Sequence, residues 1–268
     1  MHFGLVIIGD EILSGKRADK HLTRSIELLS SRGLQVDYAN YVGDDPDRIV
    51  ATLQRAFSSG DVVFSFGGIG ATPDDHTRQC AARALGCELR LHPQAEVLIR
   101  ERMQDVAREQ GLVYEPERAD NVHRLNMGMF PQGAQIVPNP YNKIPGFSCK
   151  GAGEGWVHFV PGFPVMAWPM VEWLLETHYA HLFVRDAWLE RSVVVFGAME
   201  ASLTPLMEEL ERRFAVKVFS LPSVDHPELG RHVELGVKGV PAHVHDAYAD
   251  LLQGLHALGA QLGPELVR

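Results

Sequence analysis

The sequence predicts an α/β fold with a mainly parallel sheet in three αβα layers, followed by a small α+β domain. Two uncharged apolar runs, Phe3–Ile8 and Val62–Phe66, are typical of parallel strands that are covered on both faces. Helical patterns alternate with these strands through short connections, which favours right-handed crossovers and a parallel sheet. Because the composition changes near residue 180, we expect two domains, residues 1–178 and residues 188–262.

The other elements of the first domain follow from local signals. Asp44-Asp45-Pro46 has the form of a helix start with proline in the first turn. Thr72 is expected to cap another helix, with Pro73 at its first position and Asp75 at its third. The charge-rich residues 93–125 are expected to be mostly helical. The remaining predicted elements are strands at Leu34–Tyr41, residues 136–137 and Val157–Val160, and a last helix at Val165–Tyr179.

The second domain is predicted to combine three strands with two helices. The tail from Gly259 is expected to fray. The strands are predicted at Ser192–Phe196, Val216–Leu221 and His232–Val237, and the helices at Leu203–Phe214 and Ala242–Leu258.

Charge and cysteine content argue against several classes of protein. A net charge of −9 does not suit a protein that holds nucleic acid by counterion release, which needs a clustered basic face. Cys80, Cys87 and Cys149 are odd in number and form no CxxC pair, so we expect no disulfide framework. No signal peptide and no uncharged apolar stretch of membrane-spanning length is visible. We therefore expect a soluble cytoplasmic protein without nucleic-acid or membrane partners.

The segment Gly67-Gly68-Ile69-Gly70 lies between an apolar strand and a predicted helix. Glycines at such a junction allow positive φ angles, so that backbone N–H groups and the helix N-terminus can face an anion. The segment is therefore a candidate phosphate site. A tight strand-to-helix turn explains the glycines equally well, and that alternative stays open.

Two carboxylates follow the glycines directly. Asp74 and Asp75 would repel a phosphate unless a divalent cation stood between them, so the pattern suggests a metal-bridged phosphate. The alternatives are local. Asp75 completes a pattern close to a capping box with Thr72, and Asp74 suits the positive end of a helix.

Gly9-Asp10-Glu11 follows the first strand, at the same carboxyl edge of a parallel sheet as the glycine segment. If the two strands are neighbours, Asp10 and Glu11 share a crevice with Asp74 and Asp75, and one carboxylate is free to act as a general base. A solvated loop is the alternative for Asp10.

The histidines and tryptophans give no site of their own. No HxH or HExxH spacing is present, although His21 and His76 adjoin the two loops. Trp168 and Trp173 lie on the last helix of the first domain, where core or interface packing is expected. The apolar residues 168–175 would suit a homo-oligomer.

Four segments match, in order, the motifs of one known domain family. They are residues 9–15 (GDEILSG), residues 67–77 (GGIGATPDDHT), Asn139-Pro140 with Pro145-Gly146-Phe147, and residues 161–164 (PGFP). In these motifs the chain resembles the molybdopterin-binding domain of the MoaB/Mog type, and most of all the amino-terminal domain of the CinA family. Residues 190–260 resemble, more loosely, the small domain that follows in CinA-type proteins. The amidase domain of full-length members has no counterpart in this sequence, so we do not expect its activity here.

The resemblance implies a fold, a ligand class and a set of site residues. It implies binding of molybdopterin, or metal-dependent cleavage of nucleotide pyrophosphates such as ADP-ribose or FAD with Mg²⁺, Mn²⁺ or Co²⁺. The implied residues are Gly67, Gly68, Gly70 and Thr72 for phosphate, Asp74 and Asp75 for metal or activation, Glu11 for ligand, and Gly162 and Pro164 for the pocket wall.

The chain departs from the family pattern at several positions. The family's glutamate two residues after the Pro-Gly-x-Pro segment aligns with Met166, and its Gly-Thr-Ala aligns with residues 142–144 (NKI). The asparagine of the family's first helix appears as His21. The glycine motif itself has Phe66 before it and Ala71 after it, where the family has threonine and proline.

Three functions fit these patterns. The first is a molybdopterin- or nucleotide-binding protein that acts as a metal-dependent nucleotide pyrophosphatase, with Asp10, Glu11 and Asp75 as catalytic groups. The second is a non-catalytic pterin or nucleotide carrier or sensor related to molybdenum cofactor biosynthesis. A role like that of an adenylyltransferase in molybdopterin activation is the third.

Overall fold

The computed structural model describes residues 1–184 and 189–268, which form two compact units, Met1–Phe183 and Val184–Arg268. The predicted start of the second domain, residue 188, lies outside the described residues. The α/β class is confirmed for the first unit, and the second unit is α+β. No helix within the described ranges is long and apolar enough to cross a membrane.

The first unit is built around a six-stranded mixed sheet in the order β2-β1-β3-β8-β7-β6. Strands β2, β1, β3 and β8 are parallel, β7 runs antiparallel to β8, and β6 runs antiparallel to β7. The strands are β1 (Phe3–Ile8), β2 (Tyr38–Val42), β3 (Val62–Phe66), β4 (Leu89–Leu91), β5 (Met129–Pro131), β6 (Gln135–Val137), β7 (Gly146–Lys150) and β8 (Trp156–Val160), where β4 and β5 form a separate pair. The helices are α1 (Asp10–Leu13), α2 (His21–Ser30), α3 (Pro46–Ser59), α4 (Thr77–Leu85), α5 (Pro93–Glu109), α6 (Ala119–Arg124) and α7 (Pro164–Leu174).

Helices cover both faces of this sheet, which explains the continuous apolar runs. Along β1, Val6 and Ile8 face a core formed with α3, α4 and α5. The alternate residues Leu5 and Ile7 face a second core formed with α2 and α7. Since successive side chains of a strand point to opposite faces, a strand between two helical layers is apolar at every position.

The helix predicted at Asp44-Asp45-Pro46 is confirmed. Asp45 Oδ1 accepts the Arg48 N–H at 2.9 Å, Pro46 takes the first position, and Gly60 ends the helix in the left-handed region at φ 79°. Here the local capping signals were sufficient, because all of the groups that define the two helix ends belong to the helix and its flanks.

Two predicted element starts were wrong. The helix expected from Thr72 begins at Thr77, because Asp75 Oδ2 turns back to accept the Thr72 N–H at 2.8 Å and closes a separate turn. The strand expected from Leu34 begins at Tyr38, where pairing with β1 starts. The pattern also did not predict β7. The last helix, predicted at Val165–Tyr179, is confirmed, as the α-helix Pro164–Leu174 continued by a π-helical segment, Leu175–Tyr179.

The second unit pairs a four-stranded antiparallel sheet, in the order β10-β11-β9-β12, with two helices. The tail expected to fray instead forms β12 beside β9, so that prediction was wrong. Ladder hydrogen bonds to a distant strand stabilise this segment, and its local sequence does not reveal them. The elements are β9 (Leu189–Phe196), α8 (Glu200–Arg213), β10 (Val216–His226), β11 (Gly230–Gly239), α9 (Pro241–Ala257) and β12 (Gln261–Val267).

A buried polar chain crosses the apolar core of the first unit. His158 on β8 has its Nδ1 2.6 Å from Ser148 Oγ and its Nε2 2.6 Å from Tyr179 OH. All three residues are buried. Burial lowers the pKa of His158 to about 3, so the imidazole is neutral at physiological pH. Both ring nitrogens are satisfied, which is what a buried histidine requires.

We expect Tyr179→Phe to lower the free energy of unfolding by about 1–3 kcal/mol, because it leaves His158 Nε2 buried without a partner. Urea titration followed by circular dichroism measures the change. Tyr141→Phe is the matched control, since Tyr141 is 62% exposed, and we expect it to change stability by less than about 0.5 kcal/mol. Equal effects of the two substitutions would show that the hydrogen bond between Tyr179 and His158 contributes nothing to the free energy of unfolding.

Candidate functional site

A cavity of about 470 Å³ lies at the carboxyl edge of the parallel strands. Strands β1, β3 and β8 are consecutive in the sheet, so the loops that follow them meet at this edge. Most of the sequence-predicted residues line the cavity, namely Glu11, Gly67, Gly68, Gly70, Thr72, Asp74, Asp75 and Gly162.

Two predicted residues lie elsewhere. Asp10 is not among the lining residues, since its Oδ1 accepts the Asp44 N–H at 3.1 Å and its own N–H donates to Asp44 Oδ2 at 2.9 Å. Asp10 therefore joins the loop after β1 to the loop after β2. Pro164 lines a smaller, adjoining cavity instead.

Three consecutive carbonyl groups of the glycine loop are held from below by the start of α4. Thr77 Oγ1 donates to Gly67 O at 3.1 Å, and the Thr77 N–H donates to Gly68 O at 3.0 Å. The Arg78 guanidinium donates to Ile69 O. With its carbonyl groups tied inward, the loop is fixed in one orientation.

The N–H groups of the loop are left for a ligand. Within the described ranges, the N–H groups of Gly68, Ile69, Gly70 and Ala71 donate no hydrogen bond to the protein. Gly68 has φ 68°, and a Cβ there would collide with Thr77 Oγ1, so glycine is required by both conformation and space. A row of unpaired N–H groups in a concave site is the geometry that binds phosphate.

Arg78 places a charge beneath the loop that the sequence reasoning missed. The side chain is buried, and its Nε has no partner in the described part of the chain. Burial lowers the pKa of Arg78, and the Asp75 carboxylate opposes that shift. A guanidinium remains protonated in proteins, so the loop rests on a positive charge.

Acidic side chains line the cavity beside the glycine loop and form what we call the acidic rim. The row of loop N–H groups is called the cradle. Glu11, Asp74 and Asp75 were predicted, and Asp44 joins them from the loop after β2. Burial raises the pKa of Asp44, and the charges of Asp10, Glu11 and Asp74 raise it further. The described residues contain no group of three or more metal-ligating side chains placed to hold an ion. The rim therefore supplies oxygen donors but no complete cage.

Arg17 brings a positive charge to this cavity. The sequence reasoning missed this residue as well. Its guanidinium lies 3.7 Å from Glu11 Oε1 and 5.8 Å from the centre of the Phe163 ring. Arg17 lies in the polar stretch after β1, and the only available signal was its place at the carboxyl edge of a parallel strand.

The wall formed by Asn142, Ile144 and Met166, called here the far wall, contains some of the departures from the family pattern. Two of these side chains are in contact. Asn142 Nδ2 donates to Met166 Sδ at 3.3 Å. Buried Asn139 shapes the loop, since its Nδ2 donates to Asn142 Oδ1 at 2.8 Å and to Ile144 O at 2.9 Å. Lys143 has a backbone φ of 66°, a value that residues other than glycine rarely adopt. The wall is thus a specifically built turn that presents an amide and a thioether.

Comparison with known proteins gives a family and several relatives. The family described as probable molybdopterin binding domain matches residues 4–181. A CinA-like protein of Citrifermentans bemidjiense is 31% identical over 212 residues, which cover 78% of this chain and 47% of the relative. A protein of Caldivirga maquilingensis is 31% identical over 216 residues, which cover 80% of this chain and 78% of the relative.

One solved structure supports the same relationship. It is that of the protein CinA, of unknown function, from Thermoplasma acidophilum. It matches with a TM-score of 0.54 and 27% identity, covering 66% of this chain and 98% of the other. The chain spans about half the length of the first of the CinA-like relatives, and the family match falls on the unit that contains the cavity.

We expect Asp44→Asn to raise the melting temperature of the protein at pH 8. The raised pKa means that the folded state holds the Asp44 proton more tightly than the unfolded state, so this residue destabilises the fold as pH rises through its folded pKa. The gain should disappear on acidification below the ordinary aspartate pKa of about 3.9.

Scanning calorimetry across pH measures this difference. Glu117→Gln removes the same charge from an exposed residue outside the cavity and should show no such pH-dependent gain. A pH-independent change in Asp44→Asn would contradict the electrostatic explanation.

Proposed function

The chain belongs to the family of probable molybdopterin binding domains, as its motifs indicated, and from this premise we propose that its cavity binds a small molecule with a phosphate group and a planar ring. A molybdopterin-type pterin or a nucleotide meets that description. The observation that supports it best is the row of N–H groups from Gly68 to Ala71 without protein acceptors, on a loop held by Thr77 and Arg78.

The phosphate would lie on the N–H groups of Gly68 and Gly70 beside Thr72, whereas the predicted Gly67 contributes through the loop conformation, since its own N–H donates to Val160 O at 3.1 Å. A divalent cation fits the acidic rim, because Mg²⁺ and similar ions bind one or two carboxylates together with the oxygens of a bound phosphate. Asp75 and Asp74 would hold it, with Asp75 Oδ2 already bonded to Thr72 and Oδ1 available. When bound, the cation would neutralise phosphate charge that the rim would otherwise repel.

The sharper proposal is hydrolysis of a nucleotide pyrophosphate such as ADP-ribose or FAD. Water attacks one phosphorus, the bond to the bridging oxygen breaks, and two monophosphates leave. Glu11 lines the cavity and takes the proton of the water as general base. Asp10 supports this site from the second row by holding the Asp44 loop, and Arg17 stabilises charge on the phosphates.

A non-catalytic pterin or nucleotide carrier is the second candidate, and the far wall favours it. Asn142 and Met166 occupy positions where the family pattern has glycine and glutamate, and they are bonded to each other rather than to an ionisable group. A wall with a thioether in place of a carboxylate binds a ring without adding an acid or base.

We expect Gly68→Ala to abolish binding of inorganic pyrophosphate in the presence of Mg²⁺, because the new methyl group would displace Thr77 and reorient the loop. Isothermal titration calorimetry measures the loss. Gly153→Ala is the control, since Gly153 also has a positive φ but a Cβ there meets nothing within 4 Å. Unchanged pyrophosphate affinity in Gly68→Ala would remove the cradle from the proposal.

The two candidate functions separate in an assay of ADP-ribose and FAD with Mg²⁺, Mn²⁺ and Co²⁺. The hydrolytic proposal expects monophosphate products from the wild type and at least a 100-fold loss of kcat in Asp75→Asn, which keeps an acceptor for Thr72. Turnover that survives in Asp75→Asn would refute the assigned mechanism. Tight pyrophosphate binding without turnover under any metal would establish the carrier.

A further inference from the structure

A second cavity of about 230 Å³ adjoins the first. The residues that line only the second cavity are mostly apolar and include Ile12 and Phe66. His21 also lines it. The residues that line both cavities are Ile8, Glu11, Arg17, Gly162 and Phe163.

His21 lines this cavity and carries a buried ring nitrogen without a hydrogen-bond partner in the described part of the chain. The side chain is only 5% exposed, and its ring stacks on Phe66 with the centroids 4.4 Å apart and the planes inclined by 24°. His21 Nε2 lies 3.1 Å from Gly162 O. Because a carbonyl oxygen only accepts, Nε2 carries the proton and Nδ1 has a free lone pair.

No other polar atom in the described part of the chain reaches His21 Nδ1. Burial lowers the pKa of His21, while the Gly162 carbonyl and Asp19 oppose this shift, so the ring is neutral at physiological pH. A buried acceptor without a donor is unfavourable unless a ligand supplies the donor.

Gly162 connects this histidine to the phosphate cradle. Its carbonyl oxygen binds His21, and a Cβ on Gly162 would lie 3.4 Å from Gly67 Cα. The glycine loop and the His21 wall are therefore built against one residue. Because Glu11 and Arg17 line both cavities, a ligand with its phosphate on the loop can extend past them into the second cavity.

We propose that the second cavity receives the planar nitrogen heterocycle of the ligand, and that His21 Nδ1 accepts a hydrogen bond from its ring N–H or exocyclic amino group. Isoleucine and phenylalanine side chains suit the apolar faces of such a ring, and His21 together with the charged residues Glu11, Arg17 and Lys20 in the lining suits its polar edge. The inference rests on the proposed function, since the phosphate on the glycine loop directs the ring to this cavity. Purines and pterins share the required chemistry.

Methyl NMR of the isoleucine-labelled protein tests the placement without a substitution. Ile69 lines only the first cavity and Ile12 only the second. With Mg²⁺ present, we expect pyrophosphate to shift the Ile69 signal but not that of Ile12, and ADP to shift both. An Ile12 signal that ADP leaves unmoved, while Ile69 shifts, would overturn the ring site and leave the phosphate cradle standing.

Two substitutions test the acceptor. His21→Gln can keep a donor for Gly162 O but moves the acceptor away from the Nδ1 position, whereas His21→Asn places an oxygen near that position. We expect the affinity ratio of ADP to pyrophosphate to fall about tenfold in His21→Gln and to change less than threefold in His21→Asn. Equal losses for ADP and pyrophosphate in His21→Gln would assign His21 a structural role only.

Two further probes separate the possible failures. 6-Hydroxymethylpterin pyrophosphate in place of ADP decides between the two ring sources, since the larger dependence on His21 identifies the ring that the cavity prefers. Adenosine tests the ring site alone. If pyrophosphate does not bind the wild type, the proposed function fails. If pyrophosphate binds but neither ADP nor the pterin binds more tightly, the ring site fails.

Discussion

The candidate site depends on how the carbonyl groups of the glycine loop are held. Thr77 and Arg78, the first two residues of α4, fix the conformation of this loop. They donate hydrogen bonds to three successive carbonyl oxygens, those of Gly67, Gly68 and Ile69. A peptide whose carbonyl is fixed has its N–H fixed as well, since the peptide group is planar. The loop is thus oriented by α4, and the N–H groups that we propose as the anion site donate to no protein acceptor within the described ranges.

That arrangement requires a buried charge, and the surroundings compensate it. Arg78 lies in the interior with one hydrogen bond to Ile69 O, and Asp75 lies close enough to favour its charged form. Asp75 in turn closes the turn at Thr72. The same carboxylate therefore stabilises the loop and stands at the proposed cation position, so local structure and chemistry are coupled at one residue.

Several carboxylates are concentrated around the cavity, and this grouping is electrostatically unfavourable for Asp44. Burial raises the pKa of Asp44, and the nearby charges of Glu11 and Asp74 raise it further. Opposing this, Asp10 anchors Asp44 through two hydrogen bonds. In the proposed function, a cation bound at this rim would offset the repulsion between these carboxylates and the phosphate.

The sequence by itself determined the elements whose signals are local. The apolar runs of β1 and β3 and the capped helix at Asp45 and Pro46 were predictable, because burial on both faces and capping leave their pattern in adjacent residues. The glycine loop was recognisable for the same reason. Its position at the edge of a parallel sheet followed from the alternation of strands and helices.

Only the tertiary structure decided which groups meet that loop. Asp44 is 34 residues from its partner Asp10, and β12 pairs with β9 across most of the second unit, so neither contact leaves a local pattern. The burial of Arg78 and the unsatisfied Nδ1 of His21 depend on how helices pack over the sheet. Burial and electrostatic neighbourhood are properties of chain segments brought together from far apart, and they appear only once the chain has folded.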